Sequence, residues 1–333
     1  MKIFVTGITG FLGSHIANAF VTAGHEVVGV DDLSGGDPLN VPEGACWTIA
    51  SCLNPDSFRD LLRGSDVVYH CAASAYDGLS VFSSAFVFRD TAQASVEMVT
   101  AAIAADVGRF VYCSSMARYG RGIPPFSEED EARPVTPYGI AKLSAEQVIR
   151  ALFDAHGGEW VIAVPHNIIG PRQNFTDPYR NVAAIMINRM LQGEQPIIYG
   201  DGSHRRCFTF ISDAVTPLQN MASGPESVRQ IINIGPDEQT SSILELAQEI
   251  SDLMNFSLQP IHVPDRLLEV DDARCSSEKA RHLLGYHTQV TPREGLSEMV
   301  DWMSAVGPRP FRYNRTIELR TDSTPETWSR GLI

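Results

Sequence analysis

Ile3-Phe4-Val5-Thr6-Gly7-Ile8-Thr9-Gly10-Phe11-Leu12-Gly13 opens the chain, and its reading decides the fold. Ile3-Phe4-Val5 reads as a short buried strand, three glycines then turn the backbone, and an apolar-faced helix runs on to about Ala23. At a strand-to-helix junction, glycines let the backbone turn tightly and approach a pyrophosphate. The helix N-terminus adds amide donors and a positive dipole end. The spacing is G-x-x-G-x-x-G rather than G-x-G-x-x-G, and a glycine trio alone also serves a purely structural turn. Asp31 strengthens the dinucleotide reading. It follows the second strand, Glu26-Val27-Val28-Gly29-Val30, about 20 residues beyond the glycines, where a carboxylate accepts hydrogen bonds from ribose hydroxyls. Its charge would repel a 2′-phosphate, which favours NAD over NADP; a loop-capping role for Asp31 or Asp32 is the alternative.

Working outward, Val67-Val68-Tyr69 and Arg109-Phe110-Val111-Tyr112-Cys113 read as further strands, with helical stretches at about 55–62 and 84–105 between them. A helix is expected over 137–155 and a strand over 160–164. Strands alternating with helices imply an α/β fold, a Rossmann-type doubly wound parallel sheet covered on both faces. After Pro165 turn signals such as Gly170-Pro171, Gly200-Asp201-Gly202 and Gly235-Pro236 separate shorter elements. Ile243, Leu244, Ala247, Ile250 and Met254 keep helical spacing, as do Leu296, Met299, Val300 and Met303. The expected division is an NAD-binding domain over 1–165 and a smaller C-terminal α/β substrate-binding lobe over 166–307, interleaved with the first. The tail, 308–333, has no clear period and reads as either a partner-clasping arm or a disordered end.

Composition removes several function classes. A net charge of −14 over 333 residues argues against a nucleic-acid surface, which needs clustered Lys and Arg. The six cysteines show neither C-x-x-C nor a zinc-like spacing, so no metal site is expected and reduced core thiols fit best. No apolar run approaches the roughly 20 residues of a membrane span, and the apolar strand begins right after Met1-Lys2 without a signal peptide. A soluble, cytoplasmic protein with no membrane partner is the expectation.

The chemistry resides in Tyr138-Gly139-Ile140-Ala141-Lys142. A free phenol ionises near pH 10, too high for a general base at neutral pH. Lys142 lies one turn later on the same helix face, where its ammonium would stabilise a phenolate and reach the nicotinamide ribose. Ser115, beyond the strand at 109–113, would hold the substrate oxygen. Together these groups would let Tyr138 take a hydroxyl proton while NAD takes the hydride.

These residues resemble the extended short-chain dehydrogenase/reductases, and within them the nucleotide-sugar epimerases and dehydratases. The resemblance spans nearly the whole chain. It is carried by Thr6-Gly7-x-x-Gly10-Phe11-Leu12-Gly13-Ser14-His15, Tyr69-His70-Cys71-Ala72-Ala73, Ser114-Ser115-Met116-Ala117-Arg118-Tyr119-Gly120, Pro137-Tyr138-Gly139-x-x-Lys142, Asn167-Ile168-Ile169-Gly170-Pro171-Arg172 and Gly200-Asp201-Gly202-x-x-Arg205-Arg206. It implies catalytic roles for Ser115, Tyr138 and Lys142. It implies a cofactor site formed by Gly7, Thr9, Gly10, Phe11, Leu12, Gly13, Asp31, Asp32, Cys71, Ala72, Ala73, Ser114, Tyr138, Lys142 and Pro165. It implies a nucleoside diphosphate hexose as substrate: Asn167 on its diphosphate side, Asn181 as a backbone-facing partner on the following helix, Arg206 and Arg266 on the diphosphate, and Glu269 on the nucleoside ribose. Planar, permanently charged guanidinium groups suit bidentate phosphate contacts.

The dehydratase branch carries Thr-Asp-Glu where this chain has Ser115-Met116-Ala117, and a decarboxylating relative would also want a carboxylate there. Met116 and Ala117 do no acid–base work, so the reading that remains is an NAD-dependent 4-epimerase, most simply of a UDP-hexose, acting as a homodimer through the helices at 84–105 and 137–155. Other enzymes of the same scaffold (dehydratase, decarboxylase, ketoreductase) and a non-catalytic dinucleotide sensor are the alternatives. The chain departs from the pattern at Ser51-Cys52, where an acidic residue is usual, at Asp90, often Asn, and at Cys207, usually Asp. Arg118 is unusual in the serine motif and is expected to pair with Glu128-Glu129 or meet a substrate carboxylate. Ala273 stands where a bulky tyrosine restricts some epimerases.

Overall fold

The computed structural model describes all residues, Met1–Ile333. Six strands are laid down in the first half: β1 (Lys2–Thr6), β2 (Glu26–Asp31), β3 (Cys46–Ile49), β4 (Val67–His70), β5 (Arg109–Cys113) and β6 (Glu159–Pro165). The strand Ile231–Ile234 then returns to pair with β6, so the parallel sheet runs, from that strand, β6-β5-β4-β1-β2-β3. Alternate side chains feed two cores. Phe4, Val28, Phe110, Tyr112 and Ile162 point to one face, while Ile3, Val5, Val27, Val111 and Val161 point to the other. The period of two is what a sheet covered on both faces requires.

The helix Pro137–His156 covers the first face with Ala145, Ile149 and Phe153; α1 (Phe11–Thr22) covers the second with Ile16, Ala17 and Phe20. A third core under Ala183, Ile187, Leu246, Ile250, Met299 and Met303 belongs to the helices Val182–Leu191, Ile243–Leu253 and Pro292–Val306. Two of the differences from the expected elements are instructive. The edge strand β3 is mostly exposed and carries no apolar alternation that periodicity could detect. The single helix expected over 84–105 is broken by a π-helical turn at Arg89–Gln93, beside the cavity that Asp90 and Ala94 line. Such turns concentrate at functional sites.

The tail has a defined course. It folds back over its own chain and buries Ile317 and Trp328 in a cluster with Tyr76, Leu79, Phe82, Val87, Tyr138 and Tyr179. No helix is long and apolar enough to cross a membrane.

Candidate active site

The C-terminal ends of the strands open into one cavity of about 560 Å³. It lies where the strand order reverses between β1 and β4, the place at which open parallel sheets bind their ligands. The glycine turn forms its floor. Gly7 adopts φ +70°, and the position a Cβ would take on Gly13 is 2.1 Å from the Gly7 carbonyl oxygen, so neither site accepts a side chain without rearrangement. Gly10 caps α1 without a side-chain hydrogen bond, which leaves the first-turn amides of Phe11, Leu12 and Gly13 facing the cavity. Those amides and that close-packed turn fit a pyrophosphate.

Asp31 lies at the mouth of the same crevice. Its carboxylate accepts from the amides of Thr9 (3.1 Å) and Leu33 (2.8 Å), while burial raises its pKa and those two bonds oppose the rise. Asp32 accepts from the Ser34 amide and also lines the cavity. Thr9 does not reach it: the residue is fully buried behind the turn, where its carbonyl accepts from Asp37 and Asn40. Its part is to fix the loop that carries Asp31. Cys71, Ala72 and Ala73 follow β4, locked by Thr6, whose hydroxyl meets His70 Nδ1 at 2.7 Å and accepts from the Ala72 amide. Burial lowers the His70 pKa to about 3, so that ring is neutral.

The helix carrying Tyr138 starts because Thr136 caps it, accepting from the Gly139 amide, and Pro137 occupies its first turn. Tyr138 and Lys142 therefore share the buried face, and both line the cavity with Ser115 and Pro165. Lys142 Nζ donates to the Cys113 carbonyl at 2.7 Å and lies 5.9 Å from the Tyr138 ring centre. Burial lowers the lysine to about 8, against the opposing influence of Cys113, Cys71 and Glu146. Burial pushes the Tyr138 phenol well up; the Ser115 hydroxyl and Arg180 pull it down and the Asp77 charge adds to the rise. In the free chain the phenol is thus a protonated acid beside a cation that titrates near neutrality.

Ser114 lines the cavity too, and its hydroxyl donates to Glu146, which also takes the Arg118 Nε at 2.9 and 3.0 Å. Arg118 is therefore a buried structural partner of Glu146. It pairs with neither Glu128 nor Glu129 and does not line the cavity. Glu128 instead accepts from the Asn233 amide, and Lys279 lies 3.8 Å from Glu129.

The far end of the cavity is polar. Arg206 and Arg266 converge on Glu269 at 2.9 and 2.6 Å, and together they hold its carboxyl below the usual range despite burial. The Arg266 guanidinium stacks 4.7 Å from the Tyr199 ring centre. Asn167 donates to the Cys207 carbonyl at 3.0 Å, and Asn181 caps the helix Val182–Leu191 in the left-handed region, φ +67°, which asparagine tolerates. Of the departures from the family pattern, Ser51, Cys52, Asp90 and Ala273 line the cavity, and Cys207 does not.

Four polar or aromatic residues of the cavity stand out among those that sequence reasoning missed. Asp77 accepts from Thr136 Oγ1, and burial raises its pKa. Arg180 lies over the Tyr76 ring with its Nε 3.6 Å from Asp177. Tyr199 and Trp328 complete the set. Only Arg180, next to Asn181, carried a local signal.

A parallel sheet with this glycine cradle, an Asp at the end of β2, and Ser115, Tyr138 and Lys142 at one cavity wall define a dinucleotide-dependent enzyme of the short-chain dehydrogenase/reductase type. The comparisons make this specific. Residues 3–235 match the NAD dependent epimerase/dehydratase family, and the chain belongs to that family. The UDP-N-acetyl-alpha-D-glucosaminuronate decarboxylase of Bacillus cytotoxicus is 30% identical over 92% of this chain and 98% of its own length. The UDP-glucose 4-epimerase of Mycolicibacterium smegmatis is also 30% identical, over 91% of this chain and 98% of its own. Among solved structures, the Thermotoga maritima UDP-glucose 4-epimerase, crystallised with UDP-glucose, superposes with a TM-score of 0.86 at 28% identity, covering 92% of this chain and 99% of its own.

Proposed function

We propose that the protein is a nucleoside diphosphate hexose 4-epimerase, acting on a UDP-hexose with NAD held in the glycine crevice. The observation that carries this reading is the wall around Tyr138: Ser115, Lys142 and the phenol meet beside Met116 and Ala117, with the arginine–glutamate end of the same cavity available to a nucleoside diphosphate.

In this reading NAD supplies the hydride acceptor and donor. Ser115 holds the sugar 4-oxygen and Tyr138 takes its proton, then returns it after the keto-sugar has turned over. Lys142, anchored on the Cys113 carbonyl, places positive charge beside the phenol and lowers the cost of its ionised form. Arg206 and Arg266 neutralise the diphosphate, with Glu269 left to accept from a ribose hydroxyl. Neither Met116 nor Ala117 is able to move the C5 proton that 4,6-dehydration needs.

Decarboxylation is the second reading, favoured by one relative at the same 30% identity. The serine loop weighs against it: Met116 and Ala117, which line the cavity beside Ser115, supply no carboxylate where a decarboxylating relative would want one. Incubation with UDP-glucose, UDP-N-acetylglucosamine and UDP-glucuronate, followed by separation of C4 epimers, tests the assignment. A C4 epimer formed without added cofactor supports it; a UDP-pentose or a 4-keto-6-deoxy product refutes it. A homodimer through the helices at 84–105 and 137–155, which expose Phe88 and Ile140, belongs to the same reading and is tested by light scattering.

A further inference from the structure

Residues 308–333 carry no strand and a single one-turn helix, Glu326–Ser329, yet they are firmly attached. The Arg312 amide donates to the Thr176 carbonyl at 2.8 Å and the Leu319 amide to the Phe82 carbonyl at 2.8 Å. Glu318 accepts from the amides of Ala85 (3.0 Å) and Phe86 (2.9 Å), and Ser83 Oγ donates to the Thr316 carbonyl. Tyr199 and Thr327 share a hydroxyl–hydroxyl bond of 2.6 Å, and Arg189 donates to the Leu332 carbonyl. These bonds tie the tail to residues 82–86, to Arg189 and to Tyr199, which lines the cavity.

The segment also reaches the cavity itself, through Trp328 and Ile333. Trp328 is 4% exposed, lies edge-on to Tyr179 (5.6 Å) and Phe82 (6.0 Å), and has the Arg266 guanidinium 5.9 Å from its ring centre. Arg266 is thus bracketed by Tyr199, Trp328 and Gly78, where a Cβ would come within 3.2 Å of the guanidinium and 3.4 Å of the indole. The indole Nε1–H has no acceptor within the protein. The Thermotoga maritima structure is matched over 99% of its own length but over only 92% of this chain.

We propose that the C-terminal segment is a built-in wall of the nucleotide-sugar site, and that Trp328 is a positioning residue that holds Arg266 toward the nucleoside diphosphate. The proposal rests on the assignment of Arg206, Arg266 and Glu269 to the diphosphate end. Losing an aromatic face from a desolvated guanidinium, together with the wall it forms, corresponds to about a tenfold loss of affinity or more.

The test uses the full-length chain with UDP as the calorimetric probe, and follows NAD content, KM and kcat in parallel. Trp328→Ala is expected to weaken UDP binding by about tenfold or more and to raise KM in proportion, with a much smaller change in kcat and with NAD content retained. Trp328→Phe keeps an aromatic face and restores most of the affinity. Glu318→Ala loosens the tail outside the cavity and weakens UDP by a smaller factor in the same direction. Unchanged UDP affinity in Trp328→Ala, whether or not its Tm falls, overturns the proposal, because a filler residue would act on stability alone. Tighter UDP binding overturns it as well, since the tail would then be a plug. Failure of the wild type to bind UDP, dTDP, GDP or CDP refutes the diphosphate assignment itself and removes the proposal with it.

Discussion

Gly13→Ala isolates the cofactor cradle. Gly13 lies in the first turn of α1, where alanine would normally gain about 1 kcal/mol over glycine from helix propensity alone. Here the added Cβ would be 2.1 Å from the Gly7 carbonyl oxygen, 2.8 Å from its carbon and 3.3 Å from the Ile8 Cα. Every one of these atoms is backbone, so no side chain is free to swing away. Relief requires the turn to retreat by about 1 Å, a strain of the kind that costs about 1–3 kcal/mol on overpacking. The turn is held in place, because the Gly7 amide donates to the Val30 carbonyl at 2.8 Å and its carbonyl accepts from the Gly10 amide at 2.9 Å. A shift of about 1 Å in a positioned site lowers turnover by roughly 10². The expected result is a variant that folds, melts a few degrees lower and is purified with little NAD, measured by chromatography after acid release. Gly24→Ala is the control. It has nothing within 4 Å of its Cβ and only the strain of φ +78°, so it loses some stability but keeps its NAD. A Gly13→Ala protein with full NAD content and full turnover would refute the reading of this turn as the pyrophosphate cradle.

Four further outcomes are expected. Tyr138→Phe should leave UDP affinity near normal and slow turnover by roughly 10²–10⁴, as for a lost acid–base group; unchanged turnover would dismiss its role. Asp31→Ser removes the charge at the end of β2 and should narrow the preference for NAD over NADP at least about tenfold, read from cofactor titrations by fluorescence; an unaltered preference would point to a purely loop-capping Asp31. Glu146→Gln strips the buried Arg118 of its charge partner and should cost about 3–5 kcal/mol in urea unfolding; a loss below about 1 kcal/mol would mean the pair is not buried as described. Lys142 titrates at about 8 when folded, below its usual value, so the unfolded chain holds the extra proton between about pH 8 and 10.5. The penalty of burying its charge is then complete below pH 8 and is relieved as pH rises through that window. The stability advantage of Lys142→Met over the wild type should accordingly shrink between pH 7 and pH 10, by on the order of 3 kcal/mol; a difference independent of pH would contradict the lowered pKa.

The parts of the site that could be read without a structure are those encoded locally. A strand, a glycine turn and a helix are contiguous, so Gly7, Gly10 and Gly13 already imply a cradle. Four-residue spacing on one helix puts Tyr138 and Lys142 on the same face wherever that helix packs. Thr9 belongs to the same turn but faces inward, because the pattern fixes which residues form a loop and not which of them point to the ligand. Arg118 went astray for a related reason. Its partner Glu146 is 28 residues away on a helix that packs beneath the serine loop, while the acidic pair nearer in sequence points elsewhere.

Asp77, Tyr199 and Trp328 had no signal of their own. Each becomes a cavity residue only through neighbours far along the chain, as when Trp328 joins the cluster that contains Tyr76 and Tyr138. The sequence by itself determined the sheet order's starting unit, the cofactor crevice and the Tyr–Lys pair, because these depend on backbone period and on contacts within one turn of helix. Only the tertiary structure decided what closes the far end of the cavity, because the tail there has no periodicity and its position follows from burying Ile317 and Trp328 with Tyr76, Leu79, Phe82 and Val87, more than two hundred positions earlier in the chain.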